Sequence, residues 1–235
     1  MTAARPGGGP SRAHTALYDR DYFEGKTRQS PAHTRDLIYP LADRTAAFLV
    51  RACRPTRVLD VGCAKGFLVE AFRARGIAAL GVDVSVYAVS MAEPGTRSRL
   101  VVADVEAGLP VRSGSCDLVT AVDLFEHLPE PGPVLREIRR VLGDGGVAYL
   151  KICHPRHPNA HRDPSHVNVQ RLGYWRREFR RAGLAPRRVY ESQFTTPGGP
   201  LARLRAEVRR WREWAVIGTP ADYKFLVWKR SDAER

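Results

Sequence analysis

Through the middle of the chain, short apolar runs alternate with stretches of helical spacing. The runs are 57–61 (RVLDV), 78–83 (AALGVD), 99–103 (RLVVA), 117–122 (DLVTAV) and 147–152 (VAYLKI). Each is brief, rich in valine or leucine and bounded by polar or glycine-containing segments, a pattern that predicts strands. Between them, Phe67, Leu68, Ala71 and Phe72 share one face of a predicted helix over 65–75. Val134, Leu135, Ile138, Val141 and Leu142 do the same over 131–142. Strands that alternate with helices predict a mostly parallel sheet covered on both faces, an αβα sandwich. Gly143, Gly145 and Gly146 should end the second helix and turn the chain into the fifth strand.

Outside this core the texture changes. Residues 1–13 (MTAARPGGGPSRA) read as a disordered tail. The remainder, 14–235, reads as one domain: a helical cap over 14–55, a core over 56–153, a loop-and-helix region over 154–220, and a last strand and tail over 221–235. Within the cap, 41–52 has helical spacing. Beyond 153, a helix is predicted over 171–182, strands over 184–191 and 223–229, and a further helix over 200–215 between those strands. That last helix carries Leu201, Leu204, Val208, Trp211 and Ala215 as an apolar stripe among arginines. It reads as a sheet-covering or lid helix with solvated arginines.

Charge refines the picture more than composition does. The chain of 235 residues has a formal charge of +13, yet residues 1–154 hold 20 Lys+Arg against 17 Asp+Glu, while 155–235 hold 18 against 8. A basic last third suits an anionic small molecule as well as nucleic acid. No run approaches the roughly 18 apolar residues of a membrane span, and no secretory leader pattern opens the chain, so a cytoplasmic location is expected. Cys53, Cys63, Cys116 and Cys153 are widely spaced with no C-x-x-C pair, as expected for reduced thiols.

The chemistry gathers around VLDVGCAKGFLVEAF at 58–72. Glycines after a strand let backbone approach a ligand, and the following helix start offers free N–H groups. A nicotinamide dinucleotide loop would read G-x-G-x-x-G; here the spacing is Gly62-Cys-Ala-Lys-Gly66, with Asp60 two residues ahead. A carboxylate there would repel a pyrophosphate and welcome an ammonium group. The segment resembles motif I of class I S-adenosylmethionine-dependent methyltransferases, with Ala64 in place of the usual middle glycine. The resemblance extends to GVDVS, VVAD, CDLVTAVDLFEHLPEP and LREIRRVLGDGGVAYL, and to small-molecule members of the type 11 and type 23 groups.

The resemblance implies a Rossmann-like fold with a seven-stranded sheet and S-adenosyl-L-methionine as cofactor, leaving S-adenosyl-L-homocysteine. It implies cofactor contacts at Asp60, Gly62, Cys63, Ala64, Gly66 and Phe67 in the first loop. Further contacts follow at Asp83, Val84 and Ser85, at Asp104 and Val105, and at Asp123 and Leu124 after the later strands. Tyr18 and Tyr22, in YDRDYFEG, could close over the cofactor. Lys65 is expected to point to solvent.

The implied reaction is methyl transfer to a small molecule, at oxygen, with a sugar, glycoside or other natural-product intermediate as acceptor. A hydroxyl acceptor needs a base, and His127, His154 and His166 follow the fourth and fifth strands, where ligands gather in open α/β sheets. No metal is expected, since 154–166 (HPRHPNAHRDPSH) lacks helical ligand spacing. The acceptor could be anionic, given the basic last third. RNA or protein methylation and a non-catalytic cofactor-binding partner are the alternatives; no N-P-P-[YFW] motif for base methylation is present. Monomer and homodimer remain open.

Overall fold

The computed structural model describes residues 17–26, 32–189 and 222–229. The elements run α1 (Arg20–Phe23), α2 (Arg35–Cys53), β1 (Arg57–Val61), α3 (Phe67–Arg73), β2 (Ala78–Asp83), α4 (Val86–Ser90), α5 (Pro94–Arg97) and β3 (Leu100–Val102). After β4 (Cys116–Val122) come a 3-10 turn (Phe125–His127), α6 (Pro131–Val141), β5 (Leu142–Ile152), α7 (Leu172–Arg181), β6 (Leu184–Val189) and β7 (Tyr223–Lys229). The tail over 1–13 and the helix expected over 200–215 lie outside the described residues.

Seven strands form one sheet in the order β3-β2-β1-β4-β5-β7-β6. Pairing is parallel from β3 to β5, and β7 runs antiparallel to both β5 and β6. Because side chains alternate across a strand, Leu59, Val119 and Leu150 enter a core on one face with Val134, Ile138 and Trp175. Their neighbours Val58, Leu118 and Tyr149 enter a second core on the other face with Ala46, Leu49 and Phe72. The helical spacing at 131–142 is realised as α6, whose Val134, Leu135, Ile138 and Val141 are fully buried.

The fifth strand starts earlier than the sequence suggests. Leu142 already pairs with Cys116, and the register shifts before Leu118 meets Val147, so the three glycines form a bulge within the strand. At the other end of the chain, the cap helix begins at Arg35, six residues ahead of its apolar spacing.

The order reverses direction between β1 and β4. Loops leaving the C-terminal ends of these neighbours therefore diverge to opposite faces and open a crevice above the sheet, the usual ligand position in such folds.

Candidate active site

A cavity of about 1140 Å³ opens at that crevice. Its floor is the loop after β1. Gly62 and Gly66 both adopt φ 75°, and Ala64 sits at φ 49°. These left-handed conformations fold the loop back on itself, where a glycine costs least and an alanine somewhat more. A Cβ at Gly62 would lie 3.1 Å from Leu124 Cδ1, so the Leu124 side chain packs closely over this backbone and leaves little room for a larger residue. Beneath the loop, Cys63 is buried and packs on Gly81, where a Cβ would approach its Sγ to 2.7 Å.

Asp60 and Asp83, 3% and 8% exposed, stand at the C-terminal ends of β1 and β2. Thr120 Oγ1 donates to Asp60 Oδ1 at 2.6 Å. Burial, helped by the charge of Asp83, outweighs that hydrogen bond and pushes the Asp60 carboxyl up to about 7. Asp83 has a structural duty as well: its Oδ2 accepts from Ala64 N at 2.7 Å and its Oδ1 from Ser85 N at 2.8 Å. Val84 N–H adds a third backbone contact, and the carboxylate, with about four acceptor sites, can still take a ligand hydroxyl. Asp104, after β3, likewise lines the cavity while its Oδ1 accepts from Glu106 N at 2.9 Å.

The N-terminal aromatic segment closes one wall. Ser85 Oγ donates to the Tyr18 carbonyl at 2.5 Å, and Tyr87 OH donates to Glu24, tying the segment to α4. Tyr18 meets Tyr22 edge-on with centroids 5.2 Å apart and His127 at 5.7 Å.

The opposite end is built from the ends of β4, β5 and β7 and the loop after β5. Lys151 Nζ holds both oxygens of Asp123, at 2.7 and 2.6 Å, and Asp222 Oδ2 at 3.0 Å. Burial alone would lower the Lys151 pKa, but the two carboxylates overcome it and raise it. Lys224, the cross-strand partner of Lys151, is buried and its pKa is lowered to about 8 by burial and by Lys151. Glu126 is 1% exposed; its Oε1 accepts from Cys153 N at 3.3 Å, and its Oε2 has no hydrogen-bond partner among the described residues. Burial and the charge of Asp123 raise its pKa well above the carboxylate range.

Most of the residues singled out in the sequence line this cavity. Three lie outside it, and Lys65, which lines it, departs from its expected place. Gly66 lies at the start of α3, packed against Leu100 and Thr96. Ser85 is buried as the cap of α4, its Oγ accepting from Ala88 N at 3.1 Å. His154 lies outside the cavity wall: its ring packs 4.5 Å from Tyr223, and its Nδ1 accepts from Arg156 N in a local turn. Lys65 is half-buried and lines the cavity wall rather than standing wholly in solvent, and burial lowers its pKa.

His127 and His166 do meet, with ring centroids 4.7 Å apart. Burial and the neighbouring His166 lower the His127 pKa to about 4. The residues that sequence reasoning passed over are Glu126, Lys151, Asp163, Ser165, Asp222 and Lys224. Lys224 sits inside an apolar strand pattern, and the other partners come from distant segments.

Two side-chain groups gather three possible metal-ligand atoms within 4.8 Å: Glu126, His127 and His166, and Cys153, His157 and Asp222. In both, local bonds already occupy one ring nitrogen of each histidine: Ser165 O and Ala160 O contact His127 and His166 Nδ1, and Asn159 N donates to His157 Nδ1.

A parallel sheet with this strand order, reversed at its edge by an antiparallel β7, with an acid-lined glycine loop at the switch point, is a Rossmann-like fold of the kind found in S-adenosylmethionine-dependent methyltransferases. Residues 59–150 match the family model described as a methyltransferase domain, of the type 11 group. The chain is similar to a ubiquinone biosynthesis O-methyltransferase of Bordetella avium, 28% identical over 134 residues that span 55% of this chain and 54% of that one. A protein of the same description from Methylococcus capsulatus is 36% identical over 99 residues, 40% of this chain and 42% of that one. The chain thus spans about half the length of the curated relatives it matches. The crystal structure of a SAM-dependent methyltransferase from Archaeoglobus fulgidus shares the fold, with a TM-score of 0.63 and 20% identity over 87% of this chain and 97% of that one.

Among the described residues, no helix is long and apolar enough to cross a membrane.

Proposed function

We propose that this protein transfers the methyl group of S-adenosylmethionine to a hydroxyl oxygen of a small, uncharged acceptor. The carrying observation is one continuous cavity that joins two chemically different ends. At the glycine-loop end, Asp60 suits the cationic amino group, Asp83 the ribose hydroxyls and Asp104 the adenine amino group. Gly62, Ala64 and Leu124 line the cavity between those acids, where the chain that joins them would run. The cofactor supplies an already activated methyl group, so the protein's task is alignment, exclusion of water and removal of the hydroxyl proton. Tyr18 and Tyr22 cover the glycine-loop end, and His127 is the neutral base at the other.

The acceptor end argues against the anionic acceptor expected from the basic last third. Asp123, Glu126, Asp163 and Asp222 line it against Lys151 and Lys224, and Lys151 is already neutralised by two of those acids. A polyhydroxylated or phenolic acceptor can pair with the open Glu126 Oε2, whereas a phosphate would have to face Asp123, Asp163 and Asp222 with Lys151 already engaged by two of them. The curated relatives, named for O-methylation in ubiquinone biosynthesis, support oxygen as the target atom.

The test is release of S-adenosylhomocysteine across a panel of sugars, glycosides, phenols and their phosphorylated counterparts, with and without a chelator. Turnover of a hydroxylated, uncharged acceptor that survives chelation is expected. Turnover of phosphorylated or amine acceptors alone would overturn this reading. Isothermal calorimetry with S-adenosylhomocysteine tests the cofactor end separately. Because Lys65 lines the wall, Lys65→Ala is expected to weaken that binding about threefold to tenfold, the worth of one partly solvated charged contact.

A further inference from the structure

The loop after β5 is pinned to the turn after β4. Asn168 N donates to Glu126 O at 2.9 Å, and Asn168 Nδ2 donates to Leu128 O at 2.9 Å. This brings Ser165 against His127. Ser165 Oγ lies 2.5 Å from Asp163 Oδ1 and 3.0 Å from His127 Nδ1, and the Ser165 carbonyl lies 3.2 Å from the same nitrogen. Asp163 Oδ1 also accepts from Ser165 N at 2.9 Å, which locks the carboxylate in place.

The proton count in this chain of contacts has one solution. A hydroxyl has one proton to give, and the carboxylate can only accept, so Ser165 Oγ–H points to Asp163. Toward His127, Ser165 therefore offers only acceptors: the Oγ lone pair and the backbone carbonyl. Nδ1 must carry the hydrogen. In a neutral imidazole, Nε2 is then the bare nitrogen, and it has no partner among the described residues.

We infer that Asp163 and Ser165 are positioning residues that hold His127 as its Nδ1–H tautomer, with Nε2 presented to accept the proton of the acceptor hydroxyl. This rests on the methyl-transfer reading above and extends it to the proton's path. In the step, the hydroxyl proton passes to Nε2 and the oxygen keeps the bonding pair with which it attacks the methyl carbon. The carbon–sulfur pair leaves with sulfur. The imidazolium so formed keeps its Nδ1–H bond to Ser165, and Asp163, one hydroxyl away, offsets its charge. The arrangement does the work of the carboxylate in a Ser-His-Asp triad through an interposed serine.

Burial keeps His127 neutral well below the working range. The groups facing it are His166, Asp163 and Asp123, with Glu126 in the same cluster and the Tyr18 ring at its edge. At saturating cofactor, kcat should therefore stay flat from pH 8 to about 6 and fall only near pH 5 and below.

Histidine-selective 15N labelling of the full chain, read by long-range 1H–15N correlation, reports the tautomer without turnover; His127→Gln identifies the signals. The Nδ1–H pattern is expected for His127, and an Nε2–H pattern overturns the inference. In Asp163→Asn the amide can donate to Ser165 Oγ, which frees the hydroxyl proton for Nδ1. That variant should shift His127 toward Nε2–H and lower kcat at least tenfold, with S-adenosylhomocysteine affinity within twofold of wild type and partial rescue in Asp163→Glu. A switched tautomer with unchanged kcat also overturns it. Failure of the wild-type protein to methylate any acceptor would count against the function, and the spectrum separates that failure from a wrong tautomer.

Discussion

Asp60→Asn is expected to weaken S-adenosylhomocysteine binding by at least a hundredfold and, at the same time, to stabilise the ligand-free protein above neutral pH. Both effects come from one buried carboxylate. Asp60 is 3% exposed, with Thr120 Oγ1 as its hydrogen-bond partner, and its pKa is about 7 against the usual 3.8. A folded-state pKa above the unfolded one means that the native state binds the extra proton between about pH 4 and 7. Stability therefore falls as pH rises through that window. The cost is absent below pH 4 and complete above pH 7, where a shift of this size corresponds to about 4 kcal/mol as an upper figure. Asn keeps an oxygen for Thr120 and carries no charge. Urea unfolding should thus show no gain at pH 4 and about 2–4 kcal/mol at pH 8.

Binding runs the other way. A cationic amino group needs the ionised carboxylate, so wild-type affinity should drop about tenfold per pH unit below 7. The Asn variant should bind weakly at every pH. A charged hydrogen bond in a water-poor pocket contributes roughly 3 kcal/mol, which sets the hundredfold expectation. Calorimetry over pH 5.5–8.5 checks both slopes. Equal pH dependence in the two proteins would remove Asp60 from the cofactor site.

That carboxylate could be found from sequence because its signal is local. Asp60 and the loop glycines lie within seven residues, and backbone conformation follows directly from their types. The same holds for Asp83 and Asp104, each at the end of an apolar run. The strand and helix pattern carried the parallel sheet for the same reason, since periodicity is a property of neighbours. The acceptor end is different: Lys151, Asp222 and Lys224 are joined only when β7 inserts antiparallel beside β5, and no spacing predicts that register. His154 misled because position after a strand fixes where a residue begins, not which way its ring turns; Tyr223 and a local turn decided that. Ser165 and Asp163 sat in plain view in DPSH, yet their contact with His127 depends on Asn168 fastening the loop back onto the 3-10 turn.

Lys151→Met is expected to be the most destabilising single change in the cavity wall. Lys151 is the cation shared by Asp123 and Asp222, with Glu126 close enough to feel its charge. Removing one partner of a buried ion cluster leaves the others desolvated and unpaired, which typically costs 3–5 kcal/mol. Asp123 is 46% exposed and keeps much of its hydration, so about 2–4 kcal/mol is the appropriate expectation here. The pH profile identifies the cause. Wild-type Lys151 has a raised pKa, so its contribution is fully present through neutral pH and is lost only as pH rises beyond the ordinary lysine range. In the variant, the carboxylates it neutralised are left unpaired against one another, so stability should be lower at pH 8 than at pH 5. Lys151→Arg should recover part of the loss, since a guanidinium keeps the charge but not the compact geometry that reaches three oxygens. Urea unfolding at pH 5 and pH 8 separates this from simple loss of packing: a cavity left by truncation would cost the same at both pH values, whereas orphaned carboxylates cost more at pH 8.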